Sequence, residues 1–178
     1  MIGTVILCPY TFAAGSFCRV AAVMVHVFVY GTLKPGESNH RICVSSVLEA
    51  RPAMAQGELY ALPFGYPAMA LSATTRDRSS VHGFLLSFAD AGILDVLDAY
   101  EQHDPEVFRC CAPHLVLAQH QYDRTQIKIY DQAQRFLGFA WSYLMSLEQI
   151  QRLGGSYLPS GQWQQSGRYD PALPSALS

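Results

Sequence analysis

The chain has 178 residues, half of them hydrophobic and only 15% charged; this excludes a largely disordered chain and supplies enough length for one domain with a buried core. The net charge is −2 and Lys and Arg form no cluster, so the basic footprint that nucleic acid or an anionic membrane surface requires is missing. The five cysteines, Cys8, Cys18, Cys43, Cys110 and Cys111, are odd in number and include no C-x-x-C pair. They point to a reducing compartment, the cytoplasm, rather than to a disulfide framework. The six histidines lack zinc-type spacing, so no metal site is expected.

Residues 1–23 are apolar, with Arg19 the only charge. The Arg follows the apolar run instead of preceding it, which fits a signal peptide poorly. Pro9, Gly15 and Ser16 interrupt the run, so it also makes a poor membrane span. The segment reads as a dispensable extension, with a signal sequence as the alternative. Residues 25–30 (Val-His-Val-Phe-Val-Tyr) form the first convincing strand, since β-branched and aromatic side chains suit a pleated, half-buried surface.

Composition changes abruptly after Tyr30. Gly31 permits unusual backbone angles, Thr32 adds a hydroxyl, and Pro35-Gly36 marks a turn. A buried strand that stops at Gly-Thr leaves backbone N–H groups without ladder partners. Such donors can cradle a carboxylate or a developing oxyanion, although an ordinary strand end with a tight turn has the same local pattern. His40 and Arg41 follow in a polar loop, where Arg41 is either a partner for an anion or a solvated charge.

Residues 47–54 are extended, and residues 56–62 alternate, with Glu58, Tyr60 and Leu62 on one face. Pro63-Phe64-Gly65-Tyr66-Pro67 is an aromatic turn before a short extended piece over 67–71. Residues 81–88 alternate again, with His82, Phe84, Leu86 and Phe88 on one face. Asp90 then caps a helix running to about Tyr100, striped by Ile93, Leu94 and Leu97. Residues 107–117 and 136–144 read as strands; residues 121–134 are polar and irregular and carry no assignment. Residues 146–153 suggest a short helix stopped by Gly154-Gly155, and the tail beyond Trp163 is rich in Pro, Ser and Gly. The domain is expected over residues 24–163, with a loose tail over 164–178.

Glu101 stands out among the carboxylates. Leu94, Leu97 and Glu101 are spaced three and four apart and share one helical face. That places a carboxylate on the buried side at a helix C-terminus, where desolvation and the helix dipole both raise its pKa and suit it to general-base work. Alternatively, Glu101 lies past the helix end and turns to solvent, or pairs with Arg109. Asp95 and Asp98 fall toward the solvated side, Glu37 sits in a loop, Glu58 in a strand, and His103 and Asp104 follow Glu101 closely. No nucleophile signature, P-loop or G-x-G-x-x-G is present.

Taken together, these stretches resemble the γ-glutamylcyclotransferase-like family, including its avirulence-induced and γ-glutamylamine cyclotransferase branches. Tyr30-Gly31-Thr32-Leu33-Lys34-Pro35-Gly36 is similar to the family's signature loop. Gly57-Glu58-Leu59-Tyr60, Gly65-Tyr66-Pro67-Ala68 and Val81-His82-Gly83-Phe84-Leu85 follow in the family's order. Leu97-Asp98-Ala99-Tyr100-Glu101 resembles the segment with the catalytic glutamate, and Ser160-Gly161-Gln162-Trp163 resembles a closing motif. Gln102 stands where the family often has Gly, and Phe108 where Tyr is usual.

The resemblance implies an α+β fold, a small mixed β-barrel with flanking short helices. It implies conversion of a small γ-glutamyl amine or peptide to 5-oxoproline and free amine without a cofactor. Glu101 would be the general acid/base, and Tyr30, Gly31, Thr32 and Leu33 would bind substrate. The rival expectation is a non-catalytic module that holds a small anionic metabolite.

Overall fold

In a computed structural model, described over residues 24–71, 79–101 and 122–164, five strands close into a barrel. They are β1 (Val25–Val29), β2 (Val47–Gln56), β5 (Ser80–Phe88), β6 (Asp123–Tyr130) and β7 (Phe136–Leu144), arranged β1-β5-β2-β6-β7. All ladders are antiparallel except the one closing the ring, where β1 runs parallel to β7 with Val27 opposite Trp141. A second sheet of three short strands has the order β4 (Pro67–Ala70), β3 (Glu58–Ala61), β8 (Ser156–Tyr157). Two helices flank the sheets, α1 (Ile93–Glu101) and α2 (Leu147–Arg152). The expected mixed barrel with short helices is the fold observed.

Strand periodicity sorts the core into inside and outside. Phe28, Ala53, Ala55, Val81, Leu85, Ile127, Ile129 and Ala140 fill the barrel interior. The alternate residues Val25, Val27, Val29, Leu86 and Phe88 face outward and are covered by Ile93 and Leu97 of α1. Both faces of β1 are therefore covered, apart from the half-buried His26, which explains a nearly unbroken apolar run in β1. A third cluster packs Ile150 and Leu153, at α2, against Leu62, Ala68 and Ala70.

Helix ends follow local chemistry. The Asp90 carboxylate accepts the Gly92 N–H at 2.9 Å just ahead of α1. Ser146 Oγ accepts the Gln149 N–H at 3.2 Å at the start of α2. At the other end of α2, Gly154 has φ of +74°, and the N–H groups of Gly155 and Gly154 return to the carbonyls of Ile150 and Gln151. This is the paired C-terminal cap that glycine favours, because a Cβ is disfavoured at such an angle.

The unassigned stretch 121–134 contains a full strand, β6. Its inward residues are only Ile127 and Ile129, while its outer face carries Arg124, Gln126 and Lys128, so the apolar alternation is too short to stand out. Its turn is built by Asp131, whose carboxylate accepts the backbone N–H groups of Ala133 and Arg135 and the Arg135 guanidinium. The strand expected over residues 107–117, the extension 1–23 and the tail from 165 onward lie outside the described residues, as do four of the five cysteines; Cys43 is buried and free. Among the described residues no helix is long and apolar enough to cross a membrane.

Asp98 fits the solvated role expected of it only in part. It accepts the Tyr143 hydroxyl at 2.7 Å and pairs with Arg124 at 2.7 Å, and the Arg124 guanidinium lies 5.2 Å over the Trp141 ring. Asp98 thus ties α1 to β6 and β7. Asp98→Ala leaves the buried Tyr143 hydroxyl without its acceptor, and urea unfolding is expected to show a loss of about 1–3 kcal/mol.

Candidate active site

The barrel strand β1 delivers its chain directly into the signature loop. Tyr30, one residue past the strand, is buried. Its hydroxyl donates to the Tyr143 carbonyl at 2.6 Å and accepts the Met69 N–H at 3.2 Å. The side chain therefore joins β1, β4 and β7. Burial, first, and the nearby Glu101 carboxylate push its phenol up, so it stays protonated.

Gly31 has no positive φ; the reason for glycine here is steric. A Cβ would lie 2.9 Å from Cγ of the Pro67 ring, so the loop can approach β4 only with a bare backbone. Pro35 and Gly36 sit at the centre of a turn closed by the Glu37 N–H on the Lys34 carbonyl at 3.0 Å, with Gly36 at φ +88°, as such a turn requires. The loop is then pinned from outside. The Lys34 ammonium donates to the Trp163 carbonyl, and His40 Nδ1 lies 2.9 Å from the Leu33 carbonyl. The Leu33 side chain points into the outer core with Val27 and Leu97. No backbone acceptor for the N–H groups of Gly31, Thr32 or Leu33 occurs among the described residues.

Helix α1 brings the carboxylate. Ile93 and Leu97 are buried, and Leu94 packs beside them, so the stripe expected from the sequence faces the barrel. Glu101 is the last helical residue on that stripe. It keeps part of its surface open, yet desolvation pushes its carboxyl up to about 8. Among the described residues it has no Lys or Arg partner. Arg109, the alternative partner, lies outside the described residues with Gln102, His103, Asp104 and Phe108.

Among the described residues, the titratable groups that feel Glu101 are phenols. Its charge acts on Tyr30, Tyr100, Tyr122 and Tyr143, all of which burial pushes up. The Tyr122 hydroxyl donates to the Pro67 carbonyl at 3.0 Å. Tyr100 Oη accepts from Asn39 Nδ2 at 2.6 Å and lies 3.4 Å from Thr32 Oγ1. One residue before Glu101, then, the helix meets the signature loop.

Sequence reasoning named Tyr30, Gly31, Thr32, Leu33 and Glu101, and the fold draws the loop to the helix end through Tyr100. It missed Asn39, Tyr122 and Tyr143, and gave Tyr100 no role. Tyr100 had one signal, its place beside Glu101; the other three come from separate stretches joined only by folding. Of the remaining candidates, Arg41 is exposed, Glu37 lies 3.8 Å from Lys34, and Glu58 accepts the Tyr60 hydroxyl at 2.6 Å. No group of His, Cys, Asp and Glu able to hold a metal occurs among the described residues.

The family model for Gamma-glutamyl cyclotransferase, AIG2-like, matches residues 27–165. Solved structures with a similar fold include an AIG2-like protein from Mus musculus, at 22% identity and TM-score 0.56, covering 83% of this chain and 96% of that one. YkqA from Bacillus subtilis matches at 20% identity and TM-score 0.55 over 79% of this chain, which spans only 40% of YkqA. The uropathogenic Escherichia coli-specific protein c4763 matches at 12% identity and TM-score 0.52, covering 79% of this chain and 93% of that one. No curated protein matches the sequence.

The raised Glu101 carboxyl has a consequence for stability. Its folded value of about 8 exceeds the ordinary value of about 4.3 for an unfolded Glu, so between these limits the folded state binds more protons than the unfolded one. Stability on this account falls as pH rises across that window. Glu101→Gln removes the ionisation. Its melting temperature relative to wild type is expected to rise from pH 5 to pH 9, as read by calorimetry; a constant difference contradicts the assignment.

Proposed function

We propose that this chain, which belongs to the Gamma-glutamyl cyclotransferase, AIG2-like family, converts a small γ-glutamyl amine or peptide into 5-oxoproline and the free amine, with Glu101 as general acid/base. The observation that carries this reading is a carboxyl pushed up to about 8 by desolvation, beside a loop; among the described residues the carboxyl has no cation partner and the N–H groups of Gly31, Thr32 and Leu33 have no backbone acceptor. A carboxyl raised toward the range in which amines titrate brings proton transfer between Glu101 and the substrate's α-ammonium closer to balance, the condition under which a general base works best.

The steps conserve atoms and charge. Ionised Glu101 takes a proton from the substrate's α-ammonium. The freed amine attacks the γ-carbonyl carbon of the same molecule, closing a five-membered ring. Protonated Glu101 gives its proton to the departing nitrogen as the bond from that carbon breaks; Glu101, ionised again, then takes the second proton from the ring nitrogen, leaving the neutral lactam, and passes it to the released amine. The backbone N–H groups of Gly31, Thr32 and Leu33 hold the substrate carboxylate or the oxyanion. Binding the substrate curled supplies the orientation that an extended chain in water lacks.

Glu101→Gln keeps the shape of the side chain but accepts no proton. Turnover measured by 5-oxoproline release is expected to fall by about two to four orders of magnitude, with substrate affinity changed much less. Wild-type rate should rise with pH toward about 8 as Glu101 ionises. Asp95→Asn, on the exposed side of α1, serves as the control, since Asp98 holds the helix in place. Wild-type turnover in the Gln variant removes Glu101 from catalysis; affinity for γ-glutamyl compounds with no 5-oxoproline from either protein favours the binding module.

The loop reading has its own test. Esterifying the substrate's α-carboxylate removes the charge that the open N–H groups are placed to receive, and calorimetric titration is expected to show binding abolished. An ester that binds as well as the acid shows that the loop is not an anion site.

A further inference from the structure

We infer that Tyr100 is a positioning residue: its hydroxyl, gripped by Asn39 and set beside Thr32, locks the signature loop to the end of α1, so that the loop's open N–H groups and the Glu101 carboxyl keep one fixed separation. The inference rests on the cyclotransferase reading for its effect on turnover, but the latch itself is a matter of geometry.

Three contacts define it. Asn39 Nδ2 donates to Tyr100 Oη at 2.6 Å, a short bond for an amide donor. The Asn39 backbone N–H donates to the Thr32 carbonyl at 3.0 Å. Asn39 therefore holds Thr32 with its main chain and Tyr100 with its side chain, across residues 32–39. Thr32 Oγ1 lies 3.4 Å from Tyr100 Oη; this contact is long, so the Asn39 bond carries the latch. Lys34 fixes the far side of the loop to Trp163, and Asp98 fixes α1 to Tyr143 and Arg124. Only Tyr100, among the described residues, bonds the loop directly to α1.

Tyr100 directly precedes Glu101 on α1, so the latch acts one residue from the carboxyl. Without the latch, the helix end is free to loosen and admit water to the Glu101 carboxyl. Among the described residues, the titratable groups facing Glu101 are Tyr30 at the end of β1, Tyr100 on α1, Tyr122 ahead of β6 and Tyr143 on β7. Tyr66 faces Tyr122, Arg41 faces Tyr100, and His40 holds the Leu33 carbonyl. Burial raises these four phenols, so they stay neutral as Glu101 ionises. A change in hydration therefore reads out directly in the carboxyl.

The experiment compares wild type, Tyr100→Phe, Asn39→Ala and the double variant. Carboxyl-carbon NMR of the substrate-free proteins follows the Glu101 titration, with Glu101→Gln identifying its signal. Steady-state kinetics on γ-glutamyl substrates gives kcat and KM. Each single variant is expected to lower the Glu101 midpoint by about one unit or more as water returns, and to lower kcat by roughly tenfold to a hundredfold through misplacement of the base. KM should rise less than kcat falls. Because both residues act in one contact, the double variant should be no worse than the more severe single one.

A Tyr100→Phe protein with wild-type midpoint and kcat overturns the inference, as does full additivity of the two substitutions. The two readings fail separately. If wild type releases no 5-oxoproline but the midpoint falls in both variants, the latch stands and the proposed reaction does not. If wild type is active and the variants match it in midpoint and kcat, the reaction stands and the latch does not.

Discussion

A carboxyl pushed up by desolvation, with no Lys or Arg partner among the described residues, is the constraint on which the rest of this structure turns. Such a group is costly to ionise, and it answers by holding its proton into the range near pH 8. The cost persists only if the surroundings cannot relax to let water in. The fold prevents that relaxation with ordinary means. Ile93 and Leu97 seat the helix on the outer face of β1 and β5, Asp98 clamps it to the hairpin of β6 and β7, and four phenols, Tyr30 and Tyr143 buried and Tyr100 and Tyr122 half-buried, lie near enough to feel the carboxyl's charge without offering it one.

The signature loop is held by the same economy of contacts. Tyr30 spends its hydroxyl on the backbones of β4 and β7, which ties the barrel to the small sheet at the point where the loop departs. The closing motif acts from the other side. Trp163 packs into the barrel core, its carbonyl accepts from Lys34, and the Gly161 carbonyl accepts the His82 N–H of β5 at 2.8 Å. Segments more than a hundred residues apart in sequence therefore converge on one loop. With the loop held at Tyr30, Gly31 and Lys34, the N–H groups between them are kept in one orientation. Preorganisation of this kind is what lets backbone dipoles stabilise a developing charge without first reorganising.

Glycine at position 31 illustrates how a correct residue can be noticed for an incomplete reason. The sequence suggests freedom of backbone angle, but the angle is ordinary and the need is space, because the Pro67 ring occupies the place of a side chain. Asp98 gives the converse lesson. By helical spacing it belongs to the polar side of α1, and it does keep partial exposure. What spacing does not convey is that Tyr143 and Arg124 arrive there from the hairpin. The strand β6 was illegible for a related reason: only Ile127 and Ile129 face inward, and its solvated outer face dilutes the period.

The sequence by itself determined the strands with strong alternation, the stripe of α1, both ends of α2 and the order of motifs that marks the family. These are local properties: side-chain period, turn chemistry and caps act over a few residues, so they survive without knowledge of the fold. It also placed Glu101 on the buried face, because a helix repeats every 3.6 residues. Tertiary structure alone decided that the carboxyl would have phenols and no described cation for company, that Asn39 would reach Tyr100, and that Tyr30 would commit its hydroxyl to the backbones of β4 and β7. Each of those depends on chain segments brought together by barrel closure, and the distance between segments in sequence carries no information about which side chains will meet.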